Sequence, residues 1–264
     1  MKFNDIDIEN WKELDINVDS LWMINERDKS GKHSNIYHGN FIPQIPNQLI
    51  RRYTKKGETV LDTFLGSGTT LYECERLGRD FIGFDINEVI ISQVEGVMRD
   101  SKKVNYVIDK CDSSNKKEFD VKITKAFEKL KKESVDFLIM HPPYMDIVKF
   151  TDKREDLSKI DDLTVFVNAF LKVVKNGLSV LKKDKYLSIV VGDVYKKSEV
   201  IPLAFYIIDA IKRNFKVKLK GVVIKNIEGN RGKLGKGGIW RYRAMKSDYF
   251  IFKHEYILVF KKEF

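Results

Sequence analysis

The segment Val60-Leu61-Asp62-Thr63-Phe64-Leu65-Gly66-Ser67-Gly68-Thr69-Thr70 restricts the folds open to this chain more than any other. Two apolar residues run into an acid, a glycine-rich turn follows, and a helical pattern begins at Leu71. That order spells a strand, a tight loop and a helix. Gly66 and Gly68 carry no side chain, so at such a turn backbone amides and a helix N-terminus can come close to a bound ligand.

The rest of the chain repeats the alternation. Apolar runs over residues 80–85, 106–108, 135–140, 187–191, 217–224 and 256–260 read as further strands. Helical periodicity covers residues 46–53, 88–99, 163–180 and 201–214, with Pro46 suited to a first helical turn. Strands and helices alternate at βαβ spacing over residues 58–215, and the last two strands suit an antiparallel pair. The expected fold class is therefore α/β, a doubly wound, mostly parallel sheet with an antiparallel hairpin at one edge. One domain spanning 1–264 is the economical reading. Residues 1–35 form a polar N-terminal arm pinned by Leu21, Trp22 and Met23, and residues 101–134 form a lysine-rich connection with one short strand. Residues 225–248 form a basic loop.

Composition narrows the partner. The chain of 264 residues has a formal net charge of +10 and an isoelectric point near 9.3. Such a balance favours a polyanion, and nucleic acid is the commonest; the competing reading is a lysine-rich surface that only aids solubility. Cys74 and Cys111 are the only cysteines and form no C-x-x-C pair, which suits a reducing compartment. No apolar run approaches the ~20 residues of a membrane span, and the N-terminus lacks a signal-peptide pattern, so a cytoplasmic protein with no membrane partner is expected. No metal site is expected.

Three clusters carry candidate chemistry. Asp85 lies about 20 residues beyond Gly66 at the end of the next strand, where an acid accepts ribose hydroxyls in nucleotide-binding folds; its plainer role would be a helix cap. Leu71 stands where a dinucleotide fingerprint has its third glycine, which favours a nucleoside ligand without a pyrophosphate. Asp112 suits either the pocket or a loop cap. His141-Pro142-Pro143-Tyr144 ends a buried strand with two residues that lack N–H donors and an aromatic face, a combination suited to a flat, amino-bearing substrate. Residues 150–157 suit a loop over that pocket, and Asp146 is either a further acceptor or a solvated loop acid. Lastly, Arg231, Lys233, Trp240, Arg241, Tyr242 and Arg243 fall in the glycine-rich basic segment. Cations there can meet phosphates or guanine edges while aromatics stack on bases; the alternative is a solvated hairpin.

The glycine turn together with His141-Pro142-Pro143-Tyr144 resembles the amino-directed DNA methyltransferases that use S-adenosylmethionine, whose motifs read D-x-F-x-G-S-G-T-T and D/N/S-P-P-Y/F/W. The stretch from His38 through Phe41 and Pro43 to Tyr53 is similar to the family's upstream cofactor-pocket motif, and the likeness spans about residues 35–260. The resemblance implies that Phe64, Gly66 and Gly68 line the methionine part of the cofactor, with Asp62 near its amino group and Asp85 on the ribose. His38, Phe41, Pro43, Ser67, Thr69 and Asp112 complete the cofactor set, and His141, Pro142, Pro143 and Tyr144 hold the target base. The glycine turn precedes the P-P-Y stretch, so the chain reads as circularly permuted against the subgroup with this upstream helix. Position 141 departs from the family: it is His, where an acid, Asn or Ser is usual. The departure leaves N4 of cytosine and N6 of adenine both open. Neither cysteine follows a proline in a nucleophile loop, which disfavours carbon-5 chemistry. Double-stranded DNA is the implied substrate, and a homodimer and a cognate restriction endonuclease are the further partnerships the family opens. An RNA amino-group methyltransferase and a non-catalytic nucleic-acid-binding subunit are the competing readings.

Overall fold

The computed structural model describes residues 3–33, 39–227 and 237–263. His38, Arg231 and Lys233 lie outside the described residues. In chain order the elements are β1 (Leu21–Trp22), α1 (Gln44–Tyr53), β2 (Thr59–Asp62), α2 (Thr69–Leu77), β3 (Asp80–Asp85), α3 (Glu88–Met98), β4 (Tyr106–Lys110), α4 (Lys116–Leu130) and β5 (Val135–Met140). They continue with α5 (Leu163–Val180), β6 (Leu181–Val191), β7 (Val194–Lys196), β8 (Glu199–Ile201), α6 (Leu203–Asn214), β9 (Val217–Asn226), α7 (Gly237–Lys246) and β10 (His254–Lys262).

Among the described residues eight strands make one sheet in the order β1-β9-β10-β6-β5-β2-β3-β4. From β6 to β4 the pairs are parallel, and β10 runs antiparallel to both β6 and β9. Strands buried on both faces need continuous apolar runs, and Phe137, Leu138, Ile139 and Met140 of β5 form one. Its residues alternate between two cores: Phe137 and Ile139 join one, Leu138 and Met140 the other. Helices α1, α2 and α3 cover the first face with Leu49, Leu71 and Ile90, among others. The second face is covered by α4, α5 and α6 through Phe119, Phe166, Phe170 and Ile207. The doubly wound, mostly parallel sheet expected from the sequence is what the chain forms.

Several expectations are corrected. The β9–β10 hairpin is not the edge, because β1 adds a parallel strand beyond β9 through Leu21↔Ile224 and Trp22↔Lys225. Of the cluster Leu21, Trp22 and Met23, Trp22 alone is buried, at 4% exposure; Leu21 and Met23 are exposed. The arm is tied down further by polar bonds, with Arg79 donating to Asp5 and Thr54, and the Asn17 amide donating to Gln48. Residues 116–130 form α4, which the lysine content hides. Phe119, Ile123 and Ala126 are spaced along one buried face, and Asn115 caps the start by accepting from Lys117 and Glu118 amides. A short antiparallel pair, β7–β8, was also not visible in the sequence. The segment 225–248 is not a loop throughout: Lys225 and Asn226 end β9, and α7 occupies most of its second half.

Helix α5 is 18 residues long and apolar enough by composition to cross a bilayer. Phe166, Phe170, Val173 and Val174 instead bury one face of it in the sheet core.

Candidate active site

Strand order reverses between β2 and β5, which pair through Val60↔Phe137, Leu61↔Leu138 and Asp62↔Ile139. Open α/β sheets leave a crevice at the carboxyl ends of the strands at such a switch point. A cavity of about 470 Å³ lies there, lined by Phe64, Gly66, Asp85, His141 and Tyr144, among others. The glycine turn and the P-P-Y stretch, distant in sequence, thus face one space.

Local hydrogen bonds make the turn. Asp62 is 1% exposed and stands behind the cavity wall. Its Oδ1 accepts from the Phe64 amide at 2.9 Å and its Oδ2 from the Thr70 hydroxyl at 2.6 Å. Burial pushes its carboxyl up to about 6. Gly68, also off the wall, is left-handed at φ 79°, and a Cβ there would come within 3.0 Å of Val94. The Leu65 amide donates to the Phe84 carbonyl at 2.9 Å, which locks the turn onto β3. Gly83 allows this approach: a Cβ would lie 2.8 Å from Leu65 and 2.5 Å from Phe81.

Asp85 accepts from the Gly66 amide through Oδ2 and from the Asn87 amide through Oδ1, both at 2.9 Å. Asn87, not Asp85, caps α3. Each Asp85 oxygen keeps a further lone pair, so a vicinal diol has two acceptors to meet. Burial raises this carboxyl too. Asp112 lines the cavity and accepts from the Ser114 amide and hydroxyl through one oxygen. Ser67 and Thr69 line it as well, and Ser67 Oγ accepts from Asn40 at 2.9 Å. Phe41 is buried in the wall with its ring 4.9 Å from that of His141. Pro43 sits at the N-cap of α1, away from the lining. A diol acceptor, a side-chain-free turn and the apolar rings of Phe41 and Phe64 suit an adenosyl-type cofactor.

The opposite wall is a side-chain network. His141 Nε2 is 3.0 Å from the Tyr144 hydroxyl. That hydroxyl donates to Glu255 Oε2 at 3.2 Å, and Lys225 Nζ donates to Glu255 Oε1 at 3.1 Å. Glu255 and Lys225 are paired directly across β10 and β9 and are 8% and 5% exposed. Desolvation lowers His141 to about 4, so its imidazole is neutral near pH 7. Burial and the neighbouring Glu255 carboxylate raise the Tyr144 phenol well above its usual range. Gly192 packs under Tyr144, where a Cβ would come within 2.9 Å of the ring. Pro142 and Pro143 both line the cavity.

Glu255 and Lys225 are site residues that the sequence does not single out: Lys225 reads only as the start of the basic segment. Their signal was an acid and a base at facing positions of the closing strands, next to apolar neighbours. Asp146 pairs with Lys196 at 2.7 Å and is not in the lining. Phe150, Asp156 and Leu157 do line the cavity, as a loop over it would. Asp156 holds that loop by accepting from the amide and hydroxyl of Thr151 and the amide of Ser158.

Trp240, Arg241, Tyr242 and Arg243 lie on α7, and none lines the cavity. Arg241, Tyr242 and Arg243 are exposed, and the Arg243 guanidinium lies 5.6 Å from the Trp240 ring centre.

The architecture is a Rossmann-like, doubly wound α/β fold. TrmN from Thermus thermophilus superposes with a TM-score of 0.52 at 14% identity, over 85% of this chain and 50% of that one. The [4+2]-cyclase SpnF superposes at 0.51 with 12% identity, over 84% and 81%. A cyclase among these neighbours shows that the fold alone does not name the reaction.

Sequence places the chain more narrowly. Residues 3–96 match the DNA methylase family N6_N4_Mtase, which bears out the resemblance to amino-directed DNA methyltransferases. The chain is 34% identical over 85 residues to the type II methyltransferase M.MjaII of Methanocaldococcus jannaschii, a match covering 31% of this chain and 16% of that protein. It is 41% identical over 70 residues to M1.MboII of Moraxella bovis, covering 26% and 27%. The matched segments span well under a third of these relatives' lengths.

Proposed function

We propose that the chain is an S-adenosylmethionine-dependent DNA methyltransferase acting on an exocyclic amino group, N4 of cytosine or N6 of adenine. The observation that carries this reading is that the glycine turn, Asp85 and the His141–Tyr144 strand end share one cavity in a chain whose N-terminal part matches a DNA methylase family. The order of turn and strand end supports a chain permuted against the related subgroup.

In this reading Asp85 accepts the ribose hydroxyls, and Phe41 and Phe64 flank the apolar parts of the cofactor. When bound, the cofactor would supply an electrophilic sulfonium methyl for the amine nitrogen and a neutral thioether as the leaving group. His141 and the Pro142 carbonyl accept hydrogen bonds from the amine. They thereby turn its lone pair toward the methyl and take up the positive charge that develops there. One amine proton is then released to solvent. Tyr144 stacks on a base that has left the duplex. No covalent enzyme intermediate is required, and the rate comes from positioning and electrostatics. Exposed Arg241 and Arg243 on α7 suit phosphate contacts that seat the duplex. The family's usual setting adds a cytoplasmic location, a homodimer and a cognate endonuclease to the reading.

Tritiated methyl transfer to duplex DNA and to transcribed RNA, followed by mass spectrometry of the digested product, tests it. Labelled N4-methylcytosine or N6-methyladenine in DNA is expected. Label only in RNA moves the substrate class, and label in neither, with cofactor still bound, returns the chain to a non-catalytic subunit.

A further inference from the structure

The hydrogen count on Tyr144 fixes where the His141 proton sits. A phenol has one proton, and Tyr144 donates it to Glu255 Oε2 at 3.2 Å. Glu255 is ion-paired through its other oxygen with the buried Lys225 ammonium, and a carboxylate in such a pair is an acceptor only. The Tyr144 oxygen can then only accept from His141 Nε2, at 3.0 Å. So Nε2 carries the ring proton, and in a neutral imidazole Nδ1 is the acceptor. Among the described residues the His141 side chain has no second hydrogen-bond partner.

We propose that Glu255, anchored by Lys225, is a positioning residue that acts through Tyr144 to hold His141 in the Nε2–H tautomer, so that Nδ1 accepts a hydrogen from the amine of the target base. The second half rests on the methyltransferase reading. An acid, Asn or Ser at position 141 always has an oxygen to offer. An imidazole offers an acceptor on only one nitrogen, and something must set which. Burial, which lowers the ring to about 4, keeps the competing imidazolium with its two donors unpopulated near pH 7.

Glu255→Gln reverses the network without changing its size. Lys225 has only donors, so it retains the amide oxygen and turns the amide NH₂ toward Tyr144. The Tyr144 oxygen then accepts from that NH₂, its own proton goes to His141 Nε2, and the ring proton moves to Nδ1. Long-range ¹H–¹⁵N spectra of histidine-labelled protein at pH 7, with the His141 signal identified by its loss in His141→Asn, read this directly. The expected result is Nε2–H in the wild type and Nδ1–H in Glu255→Gln. Single-turnover methyl transfer should fall roughly tenfold with that change, the size of one hydrogen bond, while S-adenosylmethionine affinity stays within about twofold. In a His141→Asn background, whose amide can rotate, Glu255→Gln should cost less than about twofold. A wild-type ring protonated on Nδ1 overturns the proposal even where the variant does not fold, and so does a folded Glu255→Gln ring still protonated on Nε2. A tautomer that switches in a protein that transfers no methyl overturns the amine as the hydrogen's source, and the methyltransferase reading with it. Glu255's control of the ring would stand.

Discussion

On the turn side of the cavity, Asp62, Gly66 and Asp85 come from one short stretch of chain, and their bonds run mostly to backbone amides. On the other side, His141 just beyond the end of β5, Lys225 of β9 and Glu255 of β10 come together from distant parts of the chain, and their bonds join side chain to side chain. The first wall keeps its shape as long as the local backbone does, so it suits a ligand that never changes. The second wall owes its chemistry to proton positions, and one altered side chain reassigns donors and acceptors along the whole row. Burial moves titrations toward neutrality on both sides, raising Asp62 and lowering His141.

The sharpest way to separate the walls is Tyr144→Ala. Loss of base stacking together with the His141 partner should lower single-turnover methyl transfer on the order of several hundredfold. Cofactor affinity by calorimetry should stay near the parent value. A variant that transfers methyl at the parental rate would remove Tyr144 from the base pocket.

Asp62 offers a test confined to the turn. Its folded value of about 6 exceeds the 3.8 of a free aspartate. The stability it contributes is therefore fully present below pH 3.8 and lost as pH rises through about 6, roughly 3 kcal/mol in all. Urea midpoints of the wild type should fall against those of Asp62→Asn between pH 4 and 7. Parallel curves would place Asp62 at an ordinary value. The methyl-transfer pH profile of Asp62→Asn should match the parent's above pH 7.

Asp85→Ala should weaken S-adenosylmethionine binding roughly 10- to 30-fold, the loss of charge-assisted bonds, with much less effect on kcat at saturating cofactor. If kcat fell and affinity did not, the division between cofactor wall and base wall would fail. The smallest effect is expected away from both walls. Arg241→Ala and Arg243→Ala should each weaken DNA binding a few-fold at moderate salt and make the salt dependence shallower by about one unit of slope. Unchanged binding across salt would leave α7 as a solvated surface helix.

Much of the turn wall could be read from the chain because it is local. A strand, two glycines and a helix pattern within residues 60–77 leave few other structures, and Asp85 follows at the end of the next strand. Helix α4 was missed for the opposite reason. Its many lysines conceal a stripe of three buried residues, Phe119, Ile123 and Ala126, which declares itself only when a sheet is there to cover. Helix α7 was missed because glycine and basic residues signal a loop, and its exposed surface gives no apolar stripe to contradict that reading.

The sequence by itself determined the doubly wound sheet, the glycine turn with its partner acid, and the strand end that meets them, because each rests on short-range spacing and backbone preference. Only the tertiary structure decided that β10 enters between β6 and β9, so that Glu255 faces Lys225 and reaches Tyr144 beside His141. Register between strands far apart in sequence is set by the fit of the whole core, and a proton's place on one ring follows from that register.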